Sequence, residues 1–131
     1  MYGINSLSKQ QIESLREYMI IFENVEGLKN LKNKESLQEI LYRFEKFLYQ
    51  NEFILNFDYI SWGKTEKVDR YIKNENVVKE ANLITIKKLL TYHLRMNRFY
   101  EGYLCDVIYI GHMSCIIRRL MKIAKDTLNN N

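Results

Sequence analysis

The chain of 131 residues carries 20 Lys and Arg against 16 Asp and Glu, a net charge of +4, with 47% apolar and 27% charged residues and no proline. That length and balance exclude a disordered or fibrous chain and fit one globular domain with a real core. No apolar run approaches the roughly 18 residues of a membrane span, and MYGINSLSKQQ lacks the basic-then-apolar order of a signal peptide, so a cytoplasmic protein without a membrane partner is expected.

Taken in order, Ser8 with Gln11 three later reads as a capping box. Ile12, Leu15, Met19 and Phe22 then recur at three and four, which predicts a helix over about 9–24, ended by Gly27. Residues 27–35 read as a basic loop tacked down by Leu28 and Leu31. Ser36 with Glu39 is a second capping box, and Leu37, Ile40, Leu41, Phe44, Phe47 and Leu48 predict a helix to about Gln50. These two helices form an antiparallel hairpin over about 8–50. NEFILNF, residues 51–57, is β-capable, but a strand needs a partner and no second such run exists, so it is read as a buried connector. Asp58 caps a short helix carrying Tyr59, Trp62, Val68, Tyr71 and Ile72, which Gly63 can split. Residues 73–82 are a polar link. Asn82 caps a central helix over about 83–99, with its apolar stripe at Leu83, Ile86, Leu89, Leu90 and Leu94 and Gly102 as its left-handed stop. Tyr103 to Ile110 is a short buried helix broken by Gly111. Met113, Ile116, Ile117, Leu120 and Ala124 mark a last helix with Arg118, Arg119, Lys122 and Lys125 on its other side, and a tail, LNNN, that should fray. The expected fold is all-α: a single compact domain of about six helices, with no internal repeat.

Charge is uneven. Residues 1–78 hold 11 basic and 12 acidic side chains, and residues 79–131 hold 9 basic and 4 acidic, so an anionic partner is expected at the C-terminal half. Cys105 and Cys115 are expected as thiols, since two cysteines without a secretory signal are more often unbridged. Neither a C-x-x-C pair nor ligand spacing between His93 and His112 occurs, so no metal site is expected.

Within about Phe57 to Leu120 the chain reads Phe57-Asp58-Tyr59 with Trp62, then Leu89-Leu90-Thr91, His93, Arg95, Arg98-Phe99, Gly102 and Leu104, and finally Gly111-His112, Ile116 and Arg119-Leu120. In these positions it resembles a family of small bacterial proteins known only as a domain of unknown function, with the pattern L-L-T-x-H-x-R-x-x-R-F-x-x-G-x-L followed by G-H-x-x-x-I-x-x-R-L. The core of the resemblance runs over about 57–125, and the first 56 residues lie outside it. It implies no catalytic residues. The chain departs from it at Tyr100, where the family more often has a small residue such as cysteine, which counts against a thiol role there.

The candidate ligand-binding residues are His93, Arg95, Arg98, Tyr100, Arg119 and Trp62. Guanidinium groups bind phosphate bidentately, and Trp62, Phe99 or Tyr100 can stack a base. A structural role competes: one of Arg95 and Arg98 paired with Asp58, Glu101 or Asp106, Arg119 in an ion pair beside its stripe, His93 as a core histidine, Trp62 as a core anchor. His112 reads as a helix-start residue. No phosphate loop, nucleophile elbow or H-E-x-x-H is present, so no catalytic residue, metal or cofactor is assigned. The preferred function is binding of an anionic small molecule, phosphate-bearing and nucleotide-like. A protein-interaction or mobile-element accessory module in which the motif is structural is the alternative, and a nucleic-acid binder the third.

Overall fold

The computed structural model describes the backbone of residues 8–30 and 34–129 and the side chains of 8–30 and 36–126. Leu31, residues 1–7 and the end of the LNNN tail lie outside these. The described residues form nine α-helices and no strand: α1 (Lys9–Glu23), α2 (Val25–Lys29), α3 (Lys34–Gln50), α4 (Tyr59–Thr65), α5 (Val68–Lys73), α6 (Glu75–Lys79), α7 (Leu83–Met96), α8 (Tyr103–Tyr109) and α9 (His112–Asn129).

The architecture is built around α9. Met113, Ile116, Ile117, Leu120, Met121 and Ala124 are buried along it, a stripe wide enough to receive several neighbours. α1 lies along α9 with the largest shared face, and α6, α7 and α8 pack on it as well. α3 reaches the core through long side chains: the Phe44 ring meets Phe22 edge-on at 4.9 Å and Tyr18 at 5.1 Å between centroids. Gln11 of α1 bonds Asn51 just past α3, so α1 and α3 run antiparallel. The result is one compact all-helical domain. None of the described helices is long and apolar enough to cross a membrane.

The count of nine corrects the expectation of about six, and each extra helix has a local cause. Gly27 does not end the first helix. Asn24 caps the end of α1 and its side chain accepts from the Gly27 N–H, which starts α2 with Gly27 inside it. The second break falls at Lys67, not Gly63: Lys67 adopts left-handed backbone at φ 54 and separates α4 from α5. The polar link contains α6, started by the Asn74 side chain on the Asn76 N–H. Five-residue helices carry no periodic stripe, so hydrophobic spacing does not reveal them. α3 begins at Lys34, upstream of Ser36, so Ser36 lies inside the helix. α7 ends at Met96, and Gly102, at φ 78, opens α8 rather than closing α7.

The Ser8–Gln11 capping box is present in both directions. Asp58 accepts from the Ser61 N–H and Asn82 from the Thr85 N–H. The 51–57 connector is irregular, as expected, with Phe53 buried; the Thr91 hydroxyl donates to the Lys87 carbonyl and accepts from the Leu55 N–H, fastening the connector to α7.

Phe44 joins the aromatic cluster between α1 and α3, so Phe44→Ala is expected to lower unfolding free energy by about 3–5 kcal/mol in urea titration, with the helical signal retained before the transition.

Candidate functional site

His93 is wholly buried. Its Nδ1 lies 2.9 Å from the Tyr103 hydroxyl, and its Nε2 lies 3.1 Å from Nε2 of His112, the rings almost perpendicular. Three helices, α7, α8 and α9, each give one member of this chain. Both imidazoles are neutral. Burial, with His112 beside it, holds His93 well below its ordinary pKa, and burial brings His112 down to about 4. Burial, then Tyr92 and Asp69, pushes the Tyr103 phenol up. One proton therefore lies between the two Nε2 atoms. If His112 donates, His93 donates from Nδ1 to Tyr103; if His93 donates from Nε2, Tyr103 donates to Nδ1. Each arrangement satisfies every atom of the chain's two bonds.

The other candidates lie on two sides of the fold. Arg95 sits over the Tyr49 ring, 5.8 Å from its centroid, and Arg98 donates to the Tyr49 hydroxyl at 3.2 Å with Glu45 3.8 Å away. Asp58, Glu101 and Asp106 are not its partners. Tyr100, two residues after Arg98, has its ring exposed. Trp62 is half-buried, stacked on Tyr71 and edge-on to Tyr92. Arg119 lies apart from these, its Nε donating to the Ala81 carbonyl at 2.8 Å. So Arg95 and Arg98 meet at Tyr49, Tyr100 stands exposed, His93 is inside, and Arg119 faces elsewhere.

Two basic hollows remain. One, of about 280 Å³, is lined by Lys79, Cys115, Arg118, Arg119 and Lys122. Its cations are already engaged: Lys79 with Glu75, Arg118 with Glu23, Lys122 with Asp126 and Arg119 with the carbonyl. Cys115 donates to Glu75 across 3.4 Å and, like Cys105, is a half-buried free thiol. The other, of about 560 Å³, is lined by Gly63, Lys64, Lys67, Val68, Asp69, Arg70, Lys73 and Tyr92. Arg70 pairs with Glu66 there at 3.5 Å, but Lys64, Lys67 and Lys73 make no ion pair with any described residue. Gly63 fits only because it has no Cβ, which would overlap the Tyr92 ring. Tyr92 in turn is edge-on to Trp62 and His93, and burial, then Asp69 and Tyr100, pushes its phenol up. This cleft therefore adjoins the His93 chain behind it through Tyr92. No cluster of three or more metal-ligating side chains occurs among the described residues.

The chain matches, over residues 8–126, the family described as "Family of unknown function (DUF6508)". It belongs to that family. The match takes in α1 to α3 as well as the region from Phe57 onward. No curated protein and no solved structure matches the chain.

In this DUF6508 protein the cleft cations were not among the residues singled out from sequence, and the half of the chain that supplies them is the net-acidic one. The available signal was the spacing Lys64, Lys67, Arg70, Lys73, a basic residue at every third position. On a straight helix that spacing rotates about 60° per step and would scatter the charges. The left-handed turn at Lys67 brings them to one opening instead. Tyr103 and the pairing of His112 with His93 were missed because both depend on helix packing.

The unfolded chain accepts protons on its histidines near pH 6.5, where the folded one refuses them. The pair therefore costs no stability above about pH 7, and stability falls as pH drops from about 6.5 toward about 4. Melting temperature followed across that window should fall, and imidazole nitrogen shifts in NMR should show His112 neutral down to about pH 4. Tyr103→Phe leaves His93 Nδ1 without its partner and is expected to cost about 1–3 kcal/mol, read by urea unfolding at pH 7.5.

Proposed function

We propose that this protein binds a phosphate-bearing, nucleotide-like anion in the cleft between α4, α5 and α7. One observation carries the reading: Lys64, Lys67 and Lys73 surround an open hollow of about 560 Å³ with no carboxylate paired to any of them among the described residues. Exposed cations such as Arg43, Lys79, Arg118 and Lys122 are paired at helix spacing or across helices, whereas the three cleft lysines share one opening. Lys67 also holds left-handed backbone without glycine, a conformation that costs of order 1 kcal/mol and is retained where it aims a side chain usefully. Trp62 and His93 support Tyr92 from behind, Arg98 and Tyr100 lie outside the lining of the cleft, and Arg119 plays a structural part.

Exposed ion pairs contribute about 0.2–1 kcal/mol each, so three lysines alone give weak binding. A ligand with an aromatic portion gains more from the Tyr92 side of the cleft. A protein-interaction surface is the second reading, favoured by the exposure of Tyr42, Phe99 and Tyr100 beside arginines that already have partners.

Calorimetry and thermal shift with inorganic phosphate, pyrophosphate and a nucleotide panel test the proposal. Wild type is expected to bind pyrophosphate and nucleotides, and Lys64→Gln with Lys67→Gln to weaken that binding about tenfold. Arg119→Ala should lower the melting temperature and leave affinity unchanged. No binding by wild type, or equal affinity in the double variant, overturns the proposal.

A further inference from the structure

Phe99 and Tyr100 form the turn that follows α7, and they are 64% and 63% exposed. Unlike Tyr49, whose face is covered by Arg95, and Trp62, which is held among Phe57, Tyr71 and Tyr92, neither ring meets another ring or a cation among the described residues. Two neighbouring aromatic residues are thus open in the turn bonded back to Met96 at the end of α7, and Phe99 follows Tyr92, which lines the lysine cleft, by seven residues, about two helical turns. α7 carries Tyr92 into the lysine cleft and, past its end, presents Arg98 and the two open rings on the surface.

We propose that this surface binds a single strand of nucleic acid, with phosphates at Lys64, Lys67 and Lys73 and bases stacked on Phe99 and Tyr100. The inference rests on the lysine cleft being an anion site, and it names the anion. A strand requires both features at once, a cationic groove along its backbone and rings for its bases. A protein partner fits less well, because lysines are depleted where protein interfaces close, and here they make up the centre. A duplex fits less well too. Its bases are already stacked, and α4 and α5, of seven and six residues, offer no long helix for a groove. Arg98 can add to the track, since its contact with Glu45 is an exposed one at 3.8 Å.

Fluorescence anisotropy with labelled single-stranded DNA and RNA of about ten nucleotides, a duplex of equal length, and pyrophosphate calorimetry in parallel decide it. The single strand is expected to bind more tightly than the duplex. Three phosphate contacts give a slope of log affinity against log salt of about −2. Phe99→Ala with Tyr100→Ala should weaken strand binding about tenfold or more and leave pyrophosphate affinity unchanged; Tyr100→Phe, which keeps the ring, should retain it. Lys64→Gln with Lys67→Gln should weaken both ligands. Pyrophosphate binding with no tighter binding of the strand, or with no effect of removing the rings, overturns this inference, leaves a small-anion site, and assigns the rings to another partner. Absence of binding to any probe overturns the cleft reading itself. Circular dichroism establishes that the variants, all at exposed positions, remain folded.

Discussion

Two neutral imidazoles and a phenol, hydrogen-bonded in line, set how α7, α8 and α9 meet. In a low-dielectric interior an unpaired polar atom is costly, so once His93 is buried its two nitrogens demand partners at fixed places. Tyr103 and His112 supply them from different helices. An apolar contact tolerates a slide of a fraction of an ångström; a bond of 2.9 Å to one nitrogen and 3.1 Å to the other does not. The left-handed glycines at 102 and 111 let the chain turn sharply on either side of α8, so that Tyr103 and His112 both arrive at the same ring. The edge of that ring carries Tyr92, and Tyr92 carries one wall of the lysine cleft. The outer surface thus inherits its shape from a polar contact in the core.

Much of the fold could be read in the sequence because long amphipathic helices repeat their apolar residues at three and four. The stripes of α1, α3, α7 and α9 and the caps at Ser8, Asp58 and Asn82 are of this kind. The short helices could not be read in the same way. α2 and α6 depend on single asparagine side chains that bond the next turn's N–H, and the break between α4 and α5 depends on one lysine in an unusual conformation that no composition rule assigns. For the candidate residues the pattern was similar. On a straight helix Arg95 and Arg98 diverge, and they share Tyr49 only because α7 ends at Met96 and α3 lies alongside. Nor could the sequence pair His93 with His112, nineteen positions on, because that pairing is made by packing.

Counting charge by halves of the chain does not show which cations gather unpaired around an opening. Residues 79–131 hold the excess of basic residues, and around their hollow Lys79, Arg118 and Lys122 face carboxylates and Arg119 faces a carbonyl. Residues 1–78 are net acidic, yet Lys64, Lys67 and Lys73 face none among the described residues. Local field follows which charges are left over after pairing, and pairing is a tertiary property.

Asp69 gives the cleft a character that its lysines alone would not. A carboxylate in the lining repels any anion that enters, and its repulsion offsets one of the surrounding attractions. A guest bearing a single concentrated charge therefore gains little, while one that spreads several charges over separated oxygens can keep them near the lysines and away from Asp69. The cleft would sort its guests by valence and by how that valence is distributed, before their shape came into play.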